Sequence, residues 1–135
     1  MKLFSVFTVL AASVAAALGQ TIELEYPTDG SVFEAGETLT AQVSRPNSII
    51  GCTEVGIALA TSSCNDEGCP DPAQRLGNVL YAGPFKPTNG YQNFTVTIPS
   101  SMNSGPAIFS LTHLCLLGGA PTPLLEFRNA SISVE

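Results

Sequence analysis

Apolar and polar residues alternate strictly from Phe94 to Ile98, with Phe94, Val96 and Ile98 on one side and Thr95 and Thr97 on the other. A period of two is the signature of a half-buried strand. Pro99 ends it, having no N–H for a ladder. The runs Leu76 to Phe85 before it and Ile108 to Leu117 after it are set off by Gly-Pro and other turn formers, which predicts strands joined antiparallel. The same period recurs towards the N-terminus. Ile22, Leu24 and Tyr26 share a face opposite Glu23 and Glu25, and Leu39, Ala41 and Val43 alternate with Thr38, Thr40 and Gln42. Pro27-Thr28-Asp29-Gly30 and Glu34-Ala35-Gly36-Glu37 read as turns.

Cys52 to Ala60 reads as a further strand, with Thr53, Val55, Ile57 and Leu59 on one face and Cys52, Glu54, Gly56, Ala58 and Ala60 on the other. In the last segment the parity changes midway, from Leu125 and Phe127 to Ala130, Ile132 and Val134, so a bulge near Arg128-Asn129 is expected. Beyond the first nineteen residues nothing shows a helical period. About seven short strands with Gly/Pro turns predict an all-β domain, a single immunoglobulin-like β-sandwich of antiparallel strands stapled by disulfides. An open barrel is the alternative.

The first nineteen residues stand apart. Lys2 precedes the apolar run Leu3 to Leu18, and Ala17-Leu18-Gly19 suits cleavage before Gln20, so residues 1–19 read as a secretory signal peptide and 20–135 as one domain. Taking 19 residues from 135 leaves 116, enough for a single core. Without Lys2 the formal charge moves from −6 to −7, and only Arg45, Arg75, Lys86 and Arg128 remain as cations. Such a chain offers no phosphate-neutralising stripe, which speaks against nucleic acid and anionic membranes as partners. No apolar tail follows Ser131 to Glu135, so no membrane anchor is expected, and a secreted monomer is the expectation.

Export also gives the cysteines their meaning. Cys52, Cys64, Cys69 and Cys115 allow three pairings, of which a local Cys64–Cys69 clip with a long-range Cys52–Cys115 tie is favoured. Parity opposes the long tie, since Cys52 counts onto the less apolar face while Cys115 shares a face with Phe109, Leu111 and Leu117. Residues 61 to 75 lack periodicity and read as a stapled excursion. Asn93-Phe94-Thr95 and Asn129-Ala130-Ser131 are glycosylation sequons, at Asn93 and Asn129.

Catalytic chemistry is scarce. His113 is the only histidine and falls mid-strand among Phe109, Leu111, Cys115 and Leu117, which reads as a structural, hydrogen-bonded residue. Glu23 and Glu25 read as a solvated strand face rather than a glycosidase pair, and Asn65-Asp66-Glu67 as a solvated loop rather than a calcium site. A copper monooxygenase needs an N-terminal His, where this chain has Gln20. No enzyme, metal or cofactor is expected. What does stand out is the second face of the strand 108–117, where Leu114 and Leu116, with the following loop residues Gly118, Gly119 and Pro121, form a candidate contact patch.

Several phrases carry a resemblance: Leu76-Gly77-x-x-Leu80-Tyr81-x-Gly83-Pro84-Phe85, Phe94-x-Val96-x-Ile98-Pro99, Gly105-Pro106-Ala107 and His113-Leu114…Gly119-Ala120…Pro123…Asn129. Over residues 53 to 135 the chain resembles the necrosis-inducing secreted protein family of fungal effectors. The resemblance implies a small effector of the plant interface, acting in the apoplast or the host cytoplasm. Its implied partners are plant immune receptor-like kinases and their cytoplasmic kinase partners, and its implied effects are suppression of pattern-triggered immunity and cell death on overexpression. The cysteine-bearing loop 61 to 75 departs from that pattern, and no family site residue carries over. A shorter phrase, Tyr26-Pro27-x-x-Gly30-Ser31-Val32-x-x-Gly36, is similar to the immunoglobulin-like domain of fungal cell-wall glucan assembly proteins. It implies instead a wall-associated structural or glycan-binding module, although Tyr26, Tyr81 and Tyr91 are few and Trp is absent.

Overall fold

A computed structural model describes residues 22–46 and 51–135. The expected signal peptide and its cleavage point lie outside the described residues. Eight strands form two packed sheets: β1 (Glu23–Tyr26), β2 (Ser31–Phe33), β3 (Thr38–Ser44), β4 (Cys52–Ser63), β5 (Asn78–Gly83), β6 (Tyr91–Thr97), β7 (Gly105–Leu117) and β8 (Thr122–Val134). One sheet has the order β1-β3-β6 and the other β2-β8-β7-β4-β5. This is the predicted immunoglobulin-like sandwich, with one more strand than expected. β2 is only three residues long, too short to show alternation, and it pairs parallel to β8 while every other pair is antiparallel. The expected turn Pro27 to Gly30, where Gly30 takes φ 87°, carries the chain from one sheet at β1 to the other at β2.

The core forms where the alternating positions of the two sheets meet. Leu39, Ala41, Val43, Phe94 and Val96 face Ile57, Leu59, Phe109, Leu111, Ala130, Ile132 and Val134, all buried. Phe85 enters from the link after β5, stacked on Phe94 with ring centroids 6.3 Å apart. Burying such side chains stabilises the fold by roughly 1.5–3 kcal/mol each.

Three parity readings are corrected. In β1 the register slips between Leu24 and Tyr26, so Tyr26 sits opposite Gln42 on the outer face instead of sharing the inner face with Leu24. In β4 the register slips between Glu54 and Gly56, making Val55 a bulge. Every residue before Val55 changes face, so Cys52 and Glu54 point inward with Ile57 and Leu59. In β8 the expected bulge near Arg128-Asn129 is absent, and pairing with β7 runs unbroken from Thr122 to Val134. The inward positions of β8 are therefore Leu124, Glu126 and Arg128 ahead of Ala130, Ile132 and Val134. Leu125 and Phe127 look outward.

Both favoured disulfides are formed. Cys52–Cys115 ties β4 to β7 and Cys64–Cys69 closes the loop after β4. Inside the small ring, Asn65 and Gly68 exchange two backbone hydrogen bonds of 2.9 Å. A turn follows in which Asp71 Oδ1 accepts from the Ala73 amide at 2.9 Å. The excursion rejoins the sheet at Gly77, whose left-handed φ of 77° brings its backbone against Ser62.

Candidate functional site

The β4 bulge assembles a feature that reading the strands one by one does not show. With Glu54 turned inward, its carboxylate meets His113 on the adjacent β7, accepting from Nε2. On the other side of the imidazole, Nδ1 faces Glu126 Oε2 from β8 at 3.2 Å. Each carboxylate is held in turn by an arginine, Arg45 to Glu54 at 2.6 Å and Arg128 to Glu126 at 3.3 Å. Charge therefore alternates in a chain across three neighbouring strands and the end of β3: Arg45, Glu54, His113, Glu126, Arg128. The imidazole at its centre has no exposed side-chain surface, while the arginines at its ends reach water. Phe85 meets the ring edge-on with centroids 5.5 Å apart.

Both ring nitrogens face carboxylate oxygens, and only an imidazolium can donate from both. Burial works against the charged form. The hydrogen bond and charge of Glu54, followed by those of Glu126, outweigh it and hold the His113 pKa above its ordinary 6.5. His113 itself is enclosed, and the parts of the cluster that meet water are Arg45, Arg128 and, less, Glu54. The two sulfurs of Cys52 and Cys115 lie beside it, and Cys52 Sγ is 3.7 Å from Glu54 Oε1. Sequence reading located His113 in mid-strand and hydrogen-bonded, but missed Glu54, Glu126 and both arginines as its setting. No one strand carries the signal, since these charges come together only through the pairing of β4 and β8 with β7.

The candidate contact patch is placed on the outer face of the five-stranded sheet. Leu114 lines a shallow apolar depression with Val55, Ala58, Thr112 and Leu125. Val55 is 53% exposed and Leu125 is 56% exposed. Neither was in the expected patch, because parity counting had turned both inward. Leu116 is half-buried on the same face, and Gly118, Gly119 and Pro121 are exposed in the β7–β8 hairpin, where Gly118 takes φ 73°. Towards the other end of β7 the outer face closes, with Ile108 and Ser110 buried.

Glu23 and Glu25 line a polar surface pocket with Ser44, Arg45 and Asn89, and Glu25 accepts from Ser44 Oγ at 2.6 Å. Asn93 is exposed on β6, its Oδ1 accepting from Gln42 Nε2 at 3.1 Å, and Asn129 is exposed on β8. Both acceptor amides are thus open to solvent. Tyr81 donates to Pro84 O at 2.7 Å and packs on Phe94, whereas Tyr26 and Tyr91 are exposed. No helix of the described residues is long and apolar enough to cross a membrane.

These features define a class: a small immunoglobulin-like sandwich tied by two disulfides, with a charge cluster around a buried histidine and an apolar depression on one outer face. The chain belongs to the Nis1 family, whose family model matches residues 12–133. Membership agrees with the resemblance to necrosis-inducing secreted proteins and, together with the bridges, is consistent with a secreted fungal effector. None of the curated proteins matches the chain. Among solved structures, the fibronectin(III)-like modules of Clostridium thermocellum CbhA are similar to it. The identity is 11%, the TM-score 0.49, and the match covers 84% of this chain and 96% of that one.

Proposed function

We propose that this protein is a secreted effector that works by binding, with the outer face around Leu114, Val55 and Leu125 as its contact surface. The partners are plant immune receptor kinases or their cytoplasmic kinase partners, and the outcome is suppression of pattern-triggered immunity. Nis1 family membership supports the effector reading. The observation that carries the choice of surface is that large apolar side chains stand exposed on central strands, whereas the lone imidazole is sealed inside. Exposed apolar surface on the middle of a sheet marks a contact site, and an enclosed histidine leaves the protein no acid–base group of that kind at a substrate. The test is pull-down of the mature protein against receptor-kinase domains, paired with leaf infiltration scored by the flagellin- or chitin-triggered oxidative burst. Wild type captures kinase and lowers the burst, and the Leu114→Lys/Leu125→Lys variant does neither while keeping its melting temperature. An undiminished burst at high expression of the wild type overturns the reading.

One observation favours a second reading. Tyr26 and Tyr91 lie on the outer face of the three-stranded sheet, in register with Gln42 and Ser44 of β3. Exposed tyrosines on one face suit stacking against sugar rings, as a wall-associated glycan-binding module requires. Retention on insoluble β-glucan that is lost in Tyr26→Ala/Tyr91→Ala, without kinase capture, is the outcome that selects it.

A further inference from the structure

Cys52 Sγ, Cys115 Sγ and a ring nitrogen of His113 lie within 4.8 Å of one another. In the oxidised protein the sulfurs are bonded to each other and offer no thiolate. We propose that opening this bridge converts the cluster into a zinc site, with the thiolates of Cys52 and Cys115, Nε2 of His113 and the carboxylate of Glu54 as ligands. Tetrahedral zinc, with sulfur at about 2.3 Å and nitrogen at about 2.0 Å, sets neighbouring ligand atoms about 3.5–3.8 Å apart. The three atoms already converge to nearly that scale. The fourth is at hand, since Glu54 carries one oxygen 3.7 Å from Cys52 Sγ and the other against Nε2. Glu54 retains some exposure, 16%, and so has freedom to withdraw to the about 3.3 Å spacing that a shared zinc imposes between nitrogen and oxygen.

The surroundings suit a metal-bound imidazole. With Nε2 given to zinc, Nδ1–H donates to Glu126, itself held by Arg128, which is the carboxylate–histidine–metal arrangement that fixes tautomer and ring orientation. Two thiolates and one carboxylate exceed the ion's charge by one, and Arg45 on Glu54 offsets the excess. A pair of thiolates selects zinc over magnesium or calcium. The chemistry balances: a dithiol supplies two electrons and two protons and leaves as its disulfide, or a phosphine supplies the two electrons and water the two protons and the oxygen of the phosphine oxide, and either way the S–S bond becomes two thiols. Zinc then displaces both thiol protons and the proton on Nε2.

The experiment uses the mature chain carrying Cys64→Ser and Cys69→Ser, so that only the buried pair can respond. It is reduced with a phosphine, incubated with zinc ions, freed of excess by gel filtration and analysed for metal. About one zinc per reduced chain is expected, and less than about a tenth in the oxidised chain. Cobalt in place of zinc should show the thiolate charge-transfer bands of a tetrahedral site. His113→Gln or Cys115→Ser should abolish stoichiometric binding, and Glu126→Gln should weaken it by about 10- to 100-fold. Circular dichroism accompanies each step. Less than about a tenth of a zinc per reduced chain, binding unchanged in both His113→Gln and Cys115→Ser, or a reduced chain that loses its β spectrum and is not returned to it by zinc, overturns the proposal.

Discussion

Glu54 accepts from Nε2 of His113 while its other oxygen holds Arg45 at 2.6 Å, so one carboxylate links a buried imidazole to a cation at the surface. This relationship fixes how the fold should respond to pH. Because the folded pKa of His113 lies above its unfolded value near 6.5, the native state binds the proton more tightly. The resulting stability is fully present below the unfolded pKa and is lost as pH rises through the folded one. Denaturant unfolding should therefore show higher stability near about pH 6 than near about pH 8.5, and the difference should shrink in His113→Leu. Stability that is flat or rising over that window in the wild type contradicts the charged-imidazole reading.

Removing one member of the chain should be worse than removing its whole middle. Glu54→Leu leaves an imidazolium with one lost partner inside the sandwich, and breaking a buried pair in this way costs about 3–5 kcal/mol. The partial exposure of Glu54 places it at or below the lower end of that range. In Glu54→Leu/His113→Leu/Glu126→Leu no interior charge is left uncompensated, and Arg45 and Arg128 can turn to water. Urea melts of the two variants should place the triple above the single.

The two bridges should differ in worth. Cross-linking stabilises more as the closed loop lengthens: the separation of 63 residues at Cys52–Cys115 corresponds to about 4 kcal/mol, and that of 5 at Cys64–Cys69 to about 2. Paired Cys→Ser variants compared by thermal melting should keep that order. A larger drop for the short ring would mean that it anchors the excursion after β4 rather than only closing it.

Gly77 is where the excursion rejoins the sheet, and it has no room for a side chain. A Cβ there would stand 2.7 Å from Ser62 Cβ and 2.8 Å from the Thr61 carbonyl oxygen, at φ 77°. Strained backbone and overpacking act together, so Gly77→Ala should lose about 2–3 kcal/mol. Gly118, with a similar φ but nothing near it, is the control, and Gly118→Ala should cost about 1 kcal/mol.

How far the sequence revealed this arrangement depends on where alternation holds. β3 and β6 pair in register along their whole length, and their apolar inward residues Leu39, Ala41, Val43, Phe94 and Val96 are legible from period alone. Val55 could not be read that way, because a bulge is one extra residue within an unbroken alternation and leaves no mark of its own. The Cys52–Cys115 bond needs both sulfurs on one face, and parity counted without the bulge stands against it. β8 failed for the opposite reason. Leu125 and Phe127 look like core residues, and the structure spends its inward positions on Glu126 and Arg128 because His113 needs a carboxylate there. A charge cluster built from three strands has no single-strand signature.

The parallel pairing of β2 with β8 sets Ser31 beside Ile132 and Phe33 beside Val134. β2 can meet that requirement only after β8 has been made, 132 − 31 = 101 positions further along the chain. Until then β2 has no neighbour, and β7 lacks one of its two. Closure of the larger layer is thus a late event: β1, β3 and β6 can pair without β8, whereas β2 cannot be placed before it.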